Sequence, residues 1–184
     1  MDDIVRQAMA KWPNVPDCYG WLGLDTRGNW YMRDDRVQSL GSFADGPPAA
    51  KGSLLQHDKL IAFIERNYMA NDQGHWFFQN GPQRVYVELA ATPWIWRVQS
   101  DYTVQSHTGL ATDCKACWTD EHGWLYLETA LGFGLVHTQD VGCAAHALEE
   151  GVWTQQSVLR SELPARYGYV KSPAQEHAPA PAKK

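Results

Sequence analysis

The sequence predicts an α+β fold of antiparallel β-meanders and hairpins with two principal helices. Three observations carry that expectation. The stretches LDTRGNWYM, ANDQGHWFF and TDEHGWLYL each set an acidic residue two or three positions before a glycine, with tryptophan directly after the glycine or one residue later. Tryptophan occurs nine times in 184 residues, as expected where large aromatics dominate small β-rich cores. Apolar residues at helical spacing occur chiefly in two segments, one at the N-terminus and one at about 54–69.

In chain order, Asp2 and Asp3 precede Ile4, Val5, Ala8 and Trp12, an apolar stripe with acids at its start that Pro13 and Pro16 stop; residues 1–17 are read as a short docking helix. Residues 18–90 form a first β-rich unit. It opens with a hairpin whose reversal is Asp25-Thr26-Arg27-Gly28: glycine supplies the positive φ, and the aspartate side chain bonds the turn amides. Gly41 to Gly52, rich in small residues and proline, is a loop. From Leu54 to Tyr68 the set Leu54, Leu60, Ile61, Ile64 and Tyr68 repeats with helical spacing and predicts the main helix. A second meander follows through Asn71-Asp72-Gln73-Gly74, Trp76-Phe77-Phe78 and a reversal at Asn80-Gly81-Pro82.

Residues 91–171 form a second β-rich unit. Its first strand is WIWRVQ, with Trp94, Trp96 and Val98 on one face and Pro93 at the entry, where no ladder bond is lost. The hairpin around Asp120-Glu121-His122-Gly123 comes next, and its second arm runs into Gly132 and Gly134. From Ser172 to residue 184 the chain has proline and alanine without an apolar face and is expected to be unstructured. The repeated acid-glycine-tryptophan motif is therefore read as architecture: the acid and glycine build a bend, and the indole fills a half-buried strand surface beyond it.

The order Asp25-x-x-Gly28-x-Trp30, a helix, Asp72-x-Gly74-x-Trp76-Phe77, then Ala91-Thr92-Pro93-Trp94 and Trp124-Leu125-Tyr126-Leu127-Glu128 resembles the bacterial family known as domain of unknown function 1285, or a related family of the same architecture. The likeness spans Cys18 to Val141, with departures at Phe78-Gln79-Asn80 and in the long Gly41 to Gly52 loop. It implies two packed β-rich units, a regulatory or signalling role with no established reaction, and a central strand opened by Pro93 and Trp94.

Composition narrows the function classes. With 16 basic and 21 acidic side chains the net charge is -5, and the only basic block is Lys183 and Lys184, so nucleic acid is not an expected partner. The acidic N-terminus does not read as a secretory signal, and no apolar stretch reaches membrane-spanning length, so a bacterial cytoplasmic protein without a membrane partner is expected. Lys51-Gly52-Ser53 has the wrong order for a phosphate loop, and no nucleophile elbow, dinucleotide fingerprint or zinc-protease helix occurs.

Cys114-x-x-Cys117 with Cys143-x-x-His146 has the spacing of two chelating pairs able to close a structural zinc site; no other cofactor is expected. The alternative is that the cysteines are small buried hydrophobes and Cys143 to His146 one turn of a helix continuing through Leu148. Trp94 and Trp96, with Arg97 or Arg84, form a candidate aromatic ligand platform, against the alternative that both rings are core. His107, His122 and His137 with Asp140 are candidate acid-base groups. The leading functional expectation is a binding or regulatory module without catalytic activity, taking a protein or small-molecule ligand. One alternative is a small hydrolase or transferase using His137 and Asp140 or a cysteine; another is a structural protein-protein interaction domain docking through the N-terminal helix or a sheet edge.

Overall fold

A computed structural model describes residues 1–177. The elements begin with α1 (Asp3–Lys11), β1 (Cys18–Leu24), β2 (Trp30–Met32), α2 (Asp35–Gln38), β3 (Ser53–Leu54), α3 (Asp58–Arg66), β4 (Tyr68–Ala70), β5 (Trp76–Asn80) and β6 (Gln83–Leu89). They continue as β7 (Trp94–Val98), β8 (Val104–Ser106), β9 (Ala111–Thr112), β10 (Cys114–Thr119), β11 (Leu125–Thr129), β12 (Gly132–Val136), α4 (Val141–Glu149), β13 (Gln155–Ser157), α5 (Leu163–Tyr167) and α6 (Pro173–His177). The fold is α+β, and its described residues divide into two compact units: 1–24, 30–90 and 170–177 form one, 25–29 and 91–169 the other.

The two sheets share the arrangement of six strands, to which the second adds β13, parallel to β10. In the first unit the strand order is β3-β2-β1-β6-β5-β4, and in the second it is β13-β10-β11-β12-β7-β8-β9. Each contains two antiparallel three-stranded meanders, and the first strand of one meander lies parallel to the last strand of the other: β1 against β6, β7 against β12. Such a parallel seam has no hairpin to form it and depends on side chains buried on both strands. On the first seam Leu22 faces Val87 and Leu24 faces Leu89, all essentially without exposure. On the second, Trp94, Ile95 and Trp96 face Gly134, Leu135 and Val136.

The second seam explains a glycine that the sequence suggests is merely flexible. A Cβ on Gly134 would lie 2.5 Å from the Trp94 carbonyl oxygen and 2.5 Å from Trp96 Nε1, so the position is empty because the Trp94 backbone and the Trp96 indole occupy the space. Trp94 and Trp96 stack with ring centroids 5.8 Å apart, and their Nε1–H groups donate to the Leu131 and Leu127 carbonyls. Both rings are core, as the simpler of the two expectations held.

The acid-glycine motif is a bend of one design. Asp25 Oδ1 accepts the N–H groups of Arg27 and Asn29, Asn71 Oδ1 those of Gln73 and His75, and Asp120 Oδ1 those of His122 and Trp124. Gly28, Gly74 and Gly123 follow at the same offset with φ of 80, 79 and 78. The second copy thus uses Asn71, and Asp72 is not its acceptor. The bend also recurs unannounced between β8 and β9, where Ser106 Oγ accepts the Leu110 N–H and Gly109 has φ 84. Between β7 and β8 the same backbone closure, Gln99 to Thr103, puts Tyr102 in the glycine place at φ 66, a strained conformation for a side chain of that size.

Beyond the bends the tryptophans differ. Trp30 is 1 % exposed and Trp76 is half-buried, but Trp124 is 37 % exposed beneath the Arg160 guanidinium, 4.0 Å from its ring. Trp124 follows its glycine directly, so strand alternation turns it outward and gives the inward place to Leu125.

Other expectations need correction. The helix read at about 54–69 is α3 alone: Leu54 pairs with Tyr31 in β3, and Tyr68 begins β4. Asn67 ends it, its Nδ2 donating to the Phe63 carbonyl while its Oδ1 accepts the Asp2 N–H. A helix as long as α1 and α3, namely α4, brings the nine-residue helices beyond the two expected. The Gly41 to Gly52 loop is pinned by buried Arg33, which donates to the Ala50 and Gly41 carbonyls at 2.8 and 2.7 Å. Finally, the segment from Ser172 is structured as far as α6: Ser172 Oγ and the Ala174 N–H donate to buried Glu88, and His177 stacks on Tyr19 at 4.0 Å. The rest of that segment, 178–184, lies outside the described residues.

Alanine substitutions separate these glycine roles. Gly134→Ala is expected to destabilise by about 1–3 kcal/mol through overpacking, and Gly74→Ala by about 1 kcal/mol through its positive φ. Gly142→Ala, inside α4 with nothing within 4 Å of the added atom, should stabilise by about 0.5–1 kcal/mol. Urea denaturation midpoints check all three; a neutral Gly134→Ala contradicts the seam packing.

Candidate functional site

In the first unit a groove of about 610 Å³ lies along α1 and the segment after it. Its lining includes Met9, Trp12, Asp17, Gln79, Pro82 and Arg84. The helix is tethered at its start by the Asp2 contacts to Asn67 and Arg66, and it buries Val5. Trp12 caps its other end, 52 % exposed, with the Lys11 ammonium 4.5 Å from its ring. The following chain is held by Gln83 Nε2, which donates to the Pro16 carbonyl at 3.0 Å.

Sheet register sets the polar groups. Gln79 on β5 and Arg84 on β6 are cross-strand partners, so their side chains share a face. Cys18 on β1 pairs with Val85 on β6, which sets Asp17 level with Arg84 on the other side. Gln79 is 1 % exposed; its Nε2 donates to the Gly81 carbonyl at 3.0 Å, which fixes the amide orientation and leaves Oε1 buried without a hydrogen-bond partner. A buried acceptor left in that state costs about 1–3 kcal/mol. Arg84 reaches over the Phe77 ring at 5.2 Å, and among the described residues neither it nor Asp17 is in an ion pair. Asp17 and Arg84 both act on the Tyr19 hydroxyl, which burial, first of all, pushes up to about 12. The composition of this lining, not a motif, is what sequence reading missed; Arg84 alone was singled out.

The remaining candidates lie in the second unit. Arg97 grips Asp140 with two hydrogen bonds, and the Val98 N–H donates to the same carboxylate at 3.2 Å. Burial alone would raise the Asp140 pKa, but these donors outweigh it and hold the carboxyl below the usual range. His137 is buried, its Nδ1 accepts the Gln139 N–H at 3.1 Å, and burial with the nearby Arg97 guanidinium lowers its pKa. Asp140 and His137 are therefore neighbours, with the carboxylate committed to Arg97. His107 supports the seam: its Nδ1 accepts the Ile95 N–H at 3.3 Å, and its ring lies 5.8 Å from Trp94. His122 is exposed beside Glu121.

Cys114 and Cys117 lie on β10, where a bulge brings their thiols into mutual influence: burial and then Cys117 push Cys114 up to about 12, and burial pushes Cys117 up to about 11. Both are thiols, not thiolates, at neutral pH. Cys143 and His146 lie one turn apart on α4, and the Tyr102 hydroxyl bonds His146 Nδ1. Among the described residues no group of three or more His, Cys, Asp or Glu side chains is gathered as a metal site, and no helix is long and apolar enough to cross a membrane.

The family model DUF2944, described as Protein of unknown function (DUF2946), matches residues 1–174. A crystal structure of a DUF1285 family protein from Silicibacter pomeroyi DSS-3 is similar at 10% sequence identity, covering 77% of this chain and 82% of that one, with a TM-score of 0.44. It is to that family that the bend and tryptophan motifs were likened above. No curated protein matches the chain.

His107 offers a pH test of the second unit. Burial pushes it down to about 3 from an ordinary 6.5, so the folded ring is neutral while the unfolded chain takes up a proton as pH falls below 6.5. Stability is therefore complete above that pH and is lost towards about 3, by up to about 1.4 kcal/mol per pH unit. His107→Asn keeps an acceptor for the Ile95 N–H and removes the titration. Between about pH 6 and 4 its denaturation midpoints should fall less steeply than those of the parent; parallel curves would show that the ring is not held neutral.

Proposed function

The chain belongs to the family described as Protein of unknown function (DUF2946), and from that premise we propose that it is a binding or regulatory module without catalytic activity whose ligand enters the groove along α1. One observation carries the reading: Asp17 and Arg84 stand on the lining of that groove with the exposed Trp12 indole, and among the described residues neither charge is in an ion pair. An exposed indole and an unpaired guanidinium on the same lining add an apolar surface and a charge, the small set of convergent groups typical of ligand sites.

The hydrolase or transferase alternative finds less support. A general base needs its proton within hydrogen-bond reach and a partner to orient it, whereas Asp140 is engaged by Arg97. Raised thiol pKa values at Cys114 and Cys117 likewise work against a cysteine nucleophile.

A thermal-shift screen of amines, carboxylic acids, amino acids and short peptides tests the proposal. At least one class should raise the Tm of the parent and fail to raise that of Trp12→Ala and Arg84→Ala. Both exposed substitutions should leave unliganded stability within about 0.5 kcal/mol. A stabilising compound that acts equally on parent and variants, or one that the protein converts to product, sinks the reading.

A further inference from the structure

We propose that the groove along α1 is a site for a small zwitterion, an α-amino acid with a large apolar side chain; this rests on the binding reading above and names its ligand class. The strand order β1-β6-β5 sets Arg84 beside Gln79, their register puts those two side chains on one face, and Asp17, immediately before β1, lines the same groove. Neighbouring strands stand about 4.8 Å apart, so a guanidinium and a carboxylate are met within the span of one small molecule.

Each group selects against a simpler ligand. A carboxylic acid alone pairs with Arg84 but brings a second negative charge beside Asp17. An amine alone satisfies Asp17 but meets the Arg84 guanidinium without an anion. A zwitterion answers both charges: its carboxylate takes the planar donor fork of Arg84, and its ammonium pairs with the Asp17 carboxylate. Asp17 is the group that distinguishes an ammonium from the neutral N–H of an acylated amine or an internal peptide bond. Trp12, Met9 and Pro82 supply apolar surface for the side chain, and about 610 Å³ accommodates one as large as phenylalanine.

The test is isothermal titration of the full chain with L-phenylalanine, L-leucine, N-acetyl-L-phenylalanine, L-phenylalaninamide and 3-phenylpropionate, repeated on Asp17→Asn and Arg84→Gln. Both positions are exposed, and the unliganded Tm of each variant serves as the folding control. The expected result is binding of the free amino acids, at least tenfold weaker binding of the acetylated and amidated forms and of the plain acid, and at least tenfold loss in each variant. Acetylated phenylalanine binding as tightly as the free amino acid, or affinity unchanged in Asp17→Asn, overturns the zwitterion while leaving the groove as a binding site. A different compound class that stabilises the parent and depends on Trp12 and Arg84 has the same meaning. Failure of every compound class to bind overturns both readings.

Discussion

Each sheet depends on a parallel contact between strands that no hairpin can bring together. Antiparallel neighbours follow from short bends, but β1 meets β6 and β7 meets β12 only after long excursions of chain, and loop closure must be offset by burial at the contact. The residues there reflect that demand: Leu22, Leu24, Val87 and Leu89 are sealed in the first sheet, and stacked Trp94 and Trp96 with a cleared place at Gly134 in the second. The two sheets thus reach the same parallel contact with unlike side chains.

The seam also creates the groove. Without β1 beside β6, Asp17 would have no reason to stand near Arg84, and the β5–β6 pairing alone would leave Gln79 and Arg84 on a bare hairpin. Rigid strands set the polar groups, whereas the cover comes from α1, tethered through Asp2 to Asn67 and Arg66, and from the proline-containing segment after it, held by Gln83 to the Pro16 carbonyl.

The second unit spends its buried charges differently. Asp140 and Arg97 satisfy each other, Asp120 is shared among bend amides, Tyr126 and Arg160, and the cysteines of β10 stay protonated by burial. Such closed pairing is what a sheet needs to keep ionised groups near its core. It also shows why residue types suggestive of chemistry, His137 with Asp140 or a C-x-x-C pair, are poor guides alone: their meaning lies in which partner has already claimed them.

Alone, the amino-acid order determined what neighbouring residues decide among themselves: the α+β class, the bends at Gly28, Gly74 and Gly123, the strand from Trp94 and the helix at α3 in its centre. Asparagine or serine in place of aspartate hid the acceptors Asn71 and Ser106, and helical spacing ran past the true ends of α3 because Leu54 and Tyr68 were claimed by strands. Only the tertiary structure decided which strands stand side by side, that Gly134 clears room for the Trp94 backbone and the Trp96 indole, and that Asp17, Gln79 and Arg84 line one groove. The reason is physical: bends and periodicity depend on interactions within a few residues, whereas a parallel register is specified by the fit of side chains far apart in the chain, and that fit has no local signature.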